Sequence, residues 1–461
     1  MGSTVDLDSL VPREVTHVMR VLESAGYQAY LVGGSVRDIL LHRRPMDYDV
    51  ATDALPHKVE KLFHNVIPTG LKYGTVTVHD SIDVEVTTFR KDGRYLDGRR
   101  PESVTFSTSL EDDVFRRDFT INALALSLAG EVIDYVQGKR DLLDLRVIRC
   151  VGDPDQRFRE DALRMIRAHR FVAQLSSPEK PFSIETKSLA AIKRNAHLIV
   201  NVSWERIRDE LTKILMSDNP KSLGDLYDSD LLNYTLPELA ACHGFPPPIY
   251  HRKDVFEHTL AVVDASSKRL WVRLAALLHD IGKPTTFVVD ERGFGYFHNH
   301  HAMGARMAEK VLDRLKYDSR TISVVTTLVR EHMTKSPCLK HEDRDKQRNV
   351  KRLINRVGVE HLEDFFDLKR ADILGSAPPH DFSELDALKE EVYRVLNSGE
   401  PLTLKDLAVS GRDLIDWGMT QGKQIGDVLD SMLEAVLERP ELNTRERLKA
   451  LFHEMRERAK G

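Results

Sequence analysis

The chain has 461 residues, too many for one ordinary core and enough for three or four packed units. Charged residues make up 30% of it and the formal net charge is −5, which excludes a uniformly basic nucleic-acid coat, so any RNA contact must be local. The N-terminal MGSTVDLDSLVPREV lacks a basic region followed by an apolar run, and no apolar stretch reaches spanning length; a soluble cytoplasmic protein with no membrane partner is expected.

The first informative stretch is LVGGSVRDILLHRRPMDYDVAT, beginning at Leu31. Ala29 to Val32 reads as a strand, Gly33 and Gly34 let backbone pass close to a ligand, and Ser35 reads as a helix start whose N–H groups attract phosphate. Arg37 adds a bidentate phosphate contact. Asp47 and Asp49, at i and i+2 on an extended strand, point to one face and can share divalent cations, with Mg²⁺ the natural choice beside phosphate. Together these features point to nucleotidyl transfer. A third carboxylate should come from a neighbouring strand. In IDVEVTTF, from Ile82 to Phe89, Val84 and Val86 face one way while Asp83, Glu85 and Thr87 face the other; Glu85 is the expected third member and Asp83 the reserve.

Turn signals follow between Lys91 and Gly98. The next motif, RRDFTINA from Arg116, follows an acidic stretch and is expected to lead into an apolar helix. Asp118 and Asn122 then lie one turn apart and suit a ribose, Asp118 accepting from hydroxyls, while Arg117 faces a triphosphate. Beyond Val151 helical periodicity takes over, with amphipathic helices expected from Phe158 to Leu175, Ser188 to Ile199 and Trp204 to Met216. Within the first of these, Asp161 and Arg164 stand side by side at i and i+3. A fixed carboxylate beside a guanidinium matches the amino donor and ring-nitrogen acceptor of cytosine and adenine, and leaves unpaired groups with uracil or guanine. The bland reading of the same pair is a surface salt bridge.

Gly244 to Pro248 and Ser398 to Pro401 interrupt the helical pattern and mark boundaries. Cys150, Cys242 and Cys338 are isolated and odd in number, so they are expected as reduced packing residues.

LVGGSVRDILL with DYD, then RRDFTINALAL, then EDALRMIRAHRF, in this order, resemble the class II tRNA nucleotidyltransferase and bacterial poly(A) polymerase family. The resemblance implies an α+β chain: a polymerase beta-like head with a mixed sheet, followed by an all-α remainder. It implies a catalytic head over 1–151, a nucleotide-selecting neck over 152–243, a body over 244–398 and a tRNA-binding tail over 399–461. By the same resemblance Asp47 and Asp49 bind catalytic Mg²⁺, and Gly33, Gly34 and Arg37 hold the triphosphate. Arg117, Asp118, Asn122 and Arg167 place the nucleotide, Asp161 and Arg164 act as a protein template for CTP and ATP, and the helix from Trp204 supports that template.

Asn122-Ala123-Leu124-Ala125 and the alanine after Asp161 resemble the members that add CCA to tRNA; A-adding, CC-adding and poly(A)-adding enzymes are the alternatives. The segment from Arg90 to Pro101 resembles the flexible loop that full CCA-adding enzymes use to switch from CTP to ATP. Basic clusters at Arg344 to Arg348 and Lys351-Arg352, with Arg445 and Arg447, are candidates for RNA backbone contact. No DNA partner is expected, and either a monomer or a homodimer fits.

His258, His279-Asp280, His300, His332 and Asp372 resemble the HD superfamily of metal-dependent phosphohydrolases, with LLHDIGK as hallmark and His300 rather than His301 in register. Adjacent His and Asp at one helix end offer a nitrogen and an oxygen ligand, and distant histidines complete the shell. The resemblance implies a second divalent ion, Mn²⁺, Ni²⁺ or Fe²⁺, and a phosphoesterase activity. A rival overall reading is therefore a chain that is primarily an HD phosphohydrolase.

Overall fold

The computed structural model describes residues 5–93, 103–245, 254–292, 295–334 and 343–458, with no side-chain description for 8 and 343–346. Contacts divide the chain into two compact units, Met1–Pro237 and Glu238–Gly461.

The first unit is built on a seven-stranded mixed sheet. Its strands are β1 (Ala29–Val32), β2 (Asp49–Thr52), β3 (Val66–Gly70), β4 (Thr75–His79) and β5 (Asp83–Thr88), then, after a separate two-stranded ribbon of β6 (Arg90–Asp92) and β7 (Val104–Phe106), β8 (Ala125–Leu126) and β9 (Val132–Ile133). The order across the sheet is β3-β4-β5-β2-β1-β8-β9, and only β2 and β5 run parallel. The expected alternation in β5 is borne out: Val84 and Val86 are each 1% exposed while Asp83 and Glu85 face out. Each buried valine contributes on the order of 1.5–3 kcal/mol, and together they pin the register that sets Asp49 opposite Glu85. Val32, Ala51, Phe89 and Ala125 belong to one core cluster beneath the site-bearing strands.

Two local expectations are corrected. The arginine-rich motif does not lead into a helix: Thr120–Asn122 forms one 3₁₀ turn and the chain enters β8, which pairs with β1. Ala123 to Leu126 are all 0% exposed, and a short, wholly buried apolar run has no period to separate strand from helix. The helix expected from Phe158 to Leu175 is two helices, Pro154–Glu160 and Leu163–Leu175, because Asp161 adopts an extended backbone (φ −151°, ψ 103°) between them. Helix Leu163–Leu175 packs against helix Trp204–Leu215.

The second unit is mostly helical. Its departure from the expected all-α pattern is a hairpin of Phe287–Val289 and Gly295–Phe297; another short pair, Val147–Ile148 with Ser183–Ile184, lies in the first unit. Helices Val255–Ala265, Leu270–Leu278, His300–Arg314, Ser319–Glu331 and Leu362–Gly375 pack together. The expected break near Ser398 is present, with helix Ser383–Asn397 ending before Gly399 at φ +72°. The proline run after Phe245, Cys338 and most of the Arg90 to Pro101 segment lie outside the described residues. Cys150 and Cys242 are buried, and burial pushes both thiols up to about 12, as inert packing residues require.

Several cations offered as RNA contacts serve the second unit internally. Lys351 is 4% exposed and paired with Glu400; Arg352 holds Glu434 at 2.7 Å, Arg348 holds Glu438 at 3.2 Å, and Arg445 holds Asp413 at 2.7 Å. Their carboxylate partners come from other segments of the unit, a distribution that charge runs alone do not reveal.

Candidate active site

The three expected carboxylates lie near one another at the start of β2 and on its neighbour β5, in the middle of the sheet. Asp47 lies two residues before β2 begins, and the parallel pairing places Asp49 beside Glu85. Burial pushes the Asp49 carboxyl up to about 6, reinforced by the charges of Glu85 and Asp47. Glu85 is raised for the same two reasons, burial and then Asp47. Asp83, the reserve, is paired with His79 at the outer end of the strand. This crowding of negative charge calls for a hard dication with oxygen ligands, so the residues fit Mg²⁺.

Beside the carboxylates opens a cavity of about 520 Å³ in the first unit, and Gly33, Gly34, Arg37, Asp47, Asp49, Arg117, Asp118, Asn122, Asp161, Arg164 and Arg167 all line it. Gly33 stands at φ +76°, and a Cβ there would sit 3.4 Å from both Arg117 Nη1 and Asp49 Oδ2. The position therefore needs glycine for its backbone, and an added Cβ would only touch these two side chains. Arg37 Nη1 donates to Asn122 Oδ1 at 2.9 Å. Arg117 and Arg116 share Asp113, whose side chain is 0% exposed, at 2.9 and 2.6 Å.

Asp118 accepts from Arg167 through Nε at 2.9 Å and Nη2 at 2.6 Å, and from Asn122 Nδ2 at 3.3 Å. Burial opposes its charge, but Arg167 and Arg164 outweigh burial and hold the carboxyl at about 2. It is a fixed, ionised acceptor.

Asp161 and Arg164 share the cavity wall but not one helix face. Asp161 caps the next helix by accepting from the Leu163 N–H at 3.1 Å, and Arg206 grips its carboxylate with two hydrogen bonds of 3.1 and 2.7 Å. Arg164, in the first turn of that helix, donates to Glu160 at 2.7 Å and to the Arg157 carbonyl at 3.0 Å. Each template candidate is thus braced by its own partner, Asp161 by the two-nitrogen fork of Arg206 and Arg164 through Nη1 alone. Arg206 comes from the helix at Trp204 expected to support the template, whereas the sequence singled out neither Arg170 nor Phe171, which also line the cavity. The three-residue spacing of Arg164, Arg167 and Arg170 was the available signal.

The second unit holds the other expected constellation, with His258, His279, Asp280, His300 and His332 buried and Asp372 partly exposed. His279 Nε2 lies 3.1 Å from Asp280 Oδ2 and 3.3 Å from His258 Nε2, and His258 Nε2 lies 3.0 Å from Asp372 Oδ1. His300 and His332 approach the other oxygen of Asp280 at 3.5 and 3.8 Å. Backbone carbonyls of Ala276 and Val329 engage Nδ1 of His279 and His332, at 2.8 and 2.7 Å, which turns both Nε2 atoms inward. Among the described residues, the groups of three ligand atoms within 4.8 Å of one another are His258, His279, Asp280 and Asp280, His300, His332. Asp280 Oδ1 and His300 Nε2 are buried with no hydrogen-bond partner among the described residues, as unmet metal ligands would be. Lys283 donates to Asp280 Oδ2 at 2.6 Å. Burial holds His332 down at about 3, so it stays neutral, the form that ligates.

Three family models match the chain: the Poly A polymerase head domain over residues 29–149, the probable RNA and SrmB-binding site of polymerase A over 181–242, and the HD domain over 250–361. The chain is 35% identical over 428 residues to the CCA-adding enzyme of Bacillus pumilus, covering 91% of each chain. It is 33% identical over 454 residues to that of Anoxybacillus flavithermus, covering 96% of this chain and 98% of the relative. A shorter match to the Lactobacillus helveticus CCA-adding enzyme, 46% identical, spans 48% of this chain and 55% of the relative. Among solved structures, the Bacillus stearothermophilus CCA-adding enzyme in complex with CTP superposes with a TM-score of 0.66 at 29% identity, covering 97% of this chain and 98% of that one. With the paired carboxylates, the arginine-lined cavity and near full-length relatives in agreement, the chain belongs to the family of the CCA-adding enzymes.

Proposed function

We propose that this chain builds or repairs the 3′-CCA end of tRNA, adding two C residues from CTP and one A from ATP and releasing pyrophosphate each time. The observation that carries this is the single cavity where a carboxylate cluster, an ionised ribose acceptor and a braced Asp161 and Arg164 pair meet. Asp47 and Asp49, with Glu85, would hold Mg²⁺, which when bound supplies activation of the attacking 3′-hydroxyl and neutralisation of the leaving pyrophosphate.

The chain's own groups do the rest. Gly33 and Gly34 let the triphosphate approach the backbone, Arg37 and Arg117 bind its oxygens, and Asp118 with Asn122 fixes the ribose. Arg206 and Glu160 hold Asp161 and Arg164 rigid, so the carboxylate accepts from the exocyclic amino group of C or A while the guanidinium donates to the adjacent ring nitrogen. Uracil and guanine would leave both groups unpaired. In this reading the head spans 1–151, the neck 152–243, the body 244–398 and the tRNA-holding tail 399–461, and the protein works in the cytoplasm as a monomer or homodimer. No helix among the described residues is long and apolar enough to cross a membrane.

The deciding experiment incubates the protein with tRNA lacking its end, Mg²⁺ and each nucleoside triphosphate separately. Growth with CTP and then ATP is expected. Growth with ATP alone would make this an A-adding enzyme or poly(A) polymerase, arrest after two C residues a CC-adding one, and no growth would leave a phosphohydrolase.

A second activity is favoured by the buried centre at Asp280. His258, His279, Asp280, His300, His332 and Asp372 would hold a divalent ion such as Mn²⁺, Ni²⁺ or Fe²⁺, which when bound supplies a Lewis acid for phosphoester hydrolysis. Cyclic 2′,3′-phosphates and 2′-nucleotides, tested with each metal, are the substrates to assay.

A further inference from the structure

We propose that Phe171 is a positioning residue that holds three arginines of the nucleotide cavity through the face of its ring, orienting their guanidinium groups while adding no further charge. The proposal rests on the reading of this cavity as the CTP and ATP site.

Phe171 is 3% exposed on helix Leu163–Leu175, and Phe119 fixes it in an edge-on contact with centroids 5.7 Å apart. The guanidinium carbons of Arg170, Arg37 and Arg167 lie 4.0, 5.1 and 5.5 Å from its centroid, all within the roughly 6 Å over which a ring quadrupole attracts a cation. Arg167 and Arg170 share the helix of Phe171, and Arg37 reaches the ring from another element. Arg37 belongs to helix Gly34–Leu40, Arg167 grips the ribose carboxylate Asp118, and Arg170 is tied to Glu210 of the neighbouring helix at 2.5 Å.

Like charges brought this close repel, and the protein has two ways to hold them. Arg116 and Arg117 share the buried carboxylate of Asp113, which cancels one of their charges. At residue 171 a carboxylate would compete with a triphosphate for the same N–H groups. All three arginines also have a carboxylate partner, Arg37 in Asp38 at 2.8 Å, and the ring orients each guanidinium plane without adding another negative charge to the cavity.

The test compares Phe171→Leu, Phe171→Tyr and a series with fluorinated phenylalanines at 171, in which ring size is nearly kept while the quadrupole weakens stepwise. Steady-state incorporation on tRNA lacking its end and equilibrium binding of CTP and ATP are measured together. Phe171→Leu is expected to raise KM and Kd for both nucleotides about five- to tenfold with kcat within about twofold, and Phe171→Tyr to stay near the parent. In the fluorinated series KM and Kd should climb with each fluorine. Unchanged constants in Phe171→Leu, or a flat fluorinated series, would overturn the proposal; if Phe171→Leu fails to fold, the fluorinated series decides alone. Failure of the unmodified protein to extend tRNA would instead defeat the cavity's assigned function, and the binding arm still reads the ring.

Discussion

Replacing Arg167 by methionine would strand a carboxylate. Asp118 is held from 3.8 down to about 2, a difference worth ~2.5 kcal/mol in favour of its ionised form even after the opposing cost of burial. Because the folded carboxyl is depressed, its contribution is full above 3.8 and is lost as pH falls through about 2. Arg167→Met removes the largest part of the compensation and leaves only Arg164 and Asn122 against the cost of burial, so the first unit should lose ~3 kcal/mol at neutral pH. Arg167→Met combined with Asp118→Asn leaves no charge to strand and should recover ~2 kcal/mol of that. The assay is urea unfolding followed through Trp204, the first unit's own tryptophan, with Trp271 and Trp417 changed to Phe. Effects of the two single substitutions that add to within ~0.5 kcal/mol in the double variant would refute the coupling.

Asp47→Ala or Asp49→Ala should abolish nucleotide incorporation with the unfolding midpoint unchanged; near-normal incorporation would remove the metal assignment. Arg206→Gln frees Asp161 from its brace and should raise misincorporation of UTP and GTP at least tenfold, about what one lost charged hydrogen bond allows, while unchanged selectivity would end the template role. His279→Ala should stop metal-stimulated phosphoesterase activity and spare CCA addition, and joint loss of both would argue against separate sites. His169 is buried, its Nε2 lacks a hydrogen-bond partner among the described residues, and burial holds it at about 4. Since the unfolded chain takes up that proton first, stability should be full above 6.5 and fall by ~3 kcal/mol as pH drops through about 4, and His169→Leu should flatten that slope; an unaltered acid profile would show that other groups set it.

How much was legible in the sequence depended on how local each signal was. Glu85 was found because a period of two is visible in one strand, and the same valines that reveal the period fix its partner Asp49. The HD candidates were readable because His279-Asp280 is contiguous, and of His300 and His301 it is His300 that approaches Asp280. The break at Asp161 was missed because an aspartate between helix formers looks like one helix; only its cap on Leu163 and its grip by Arg206, 45 positions downstream, make the extended backbone favourable. The turn into β8 was missed because total burial erases periodicity. The carboxylate partners of Lys351, Arg348 and Arg352 were not legible because they are far along the chain, where charge patterning has no reach.

The parallel pairing of β2 with β5 ties two histories together. A slip of β5 by one residue would set Val84 or Val86 opposite Asp49 and turn Glu85 into the core, so register, side-chain alternation and reaction centre rise or fall as one. Drift in the valines of β5 is therefore screened by catalysis as well as by stability. A variant packed well enough to fold in the wrong register would be an inert protein with an intact core. For engineering, the hydrophobic face of β5 is accordingly part of the active site, although none of its side chains meets the substrate cavity.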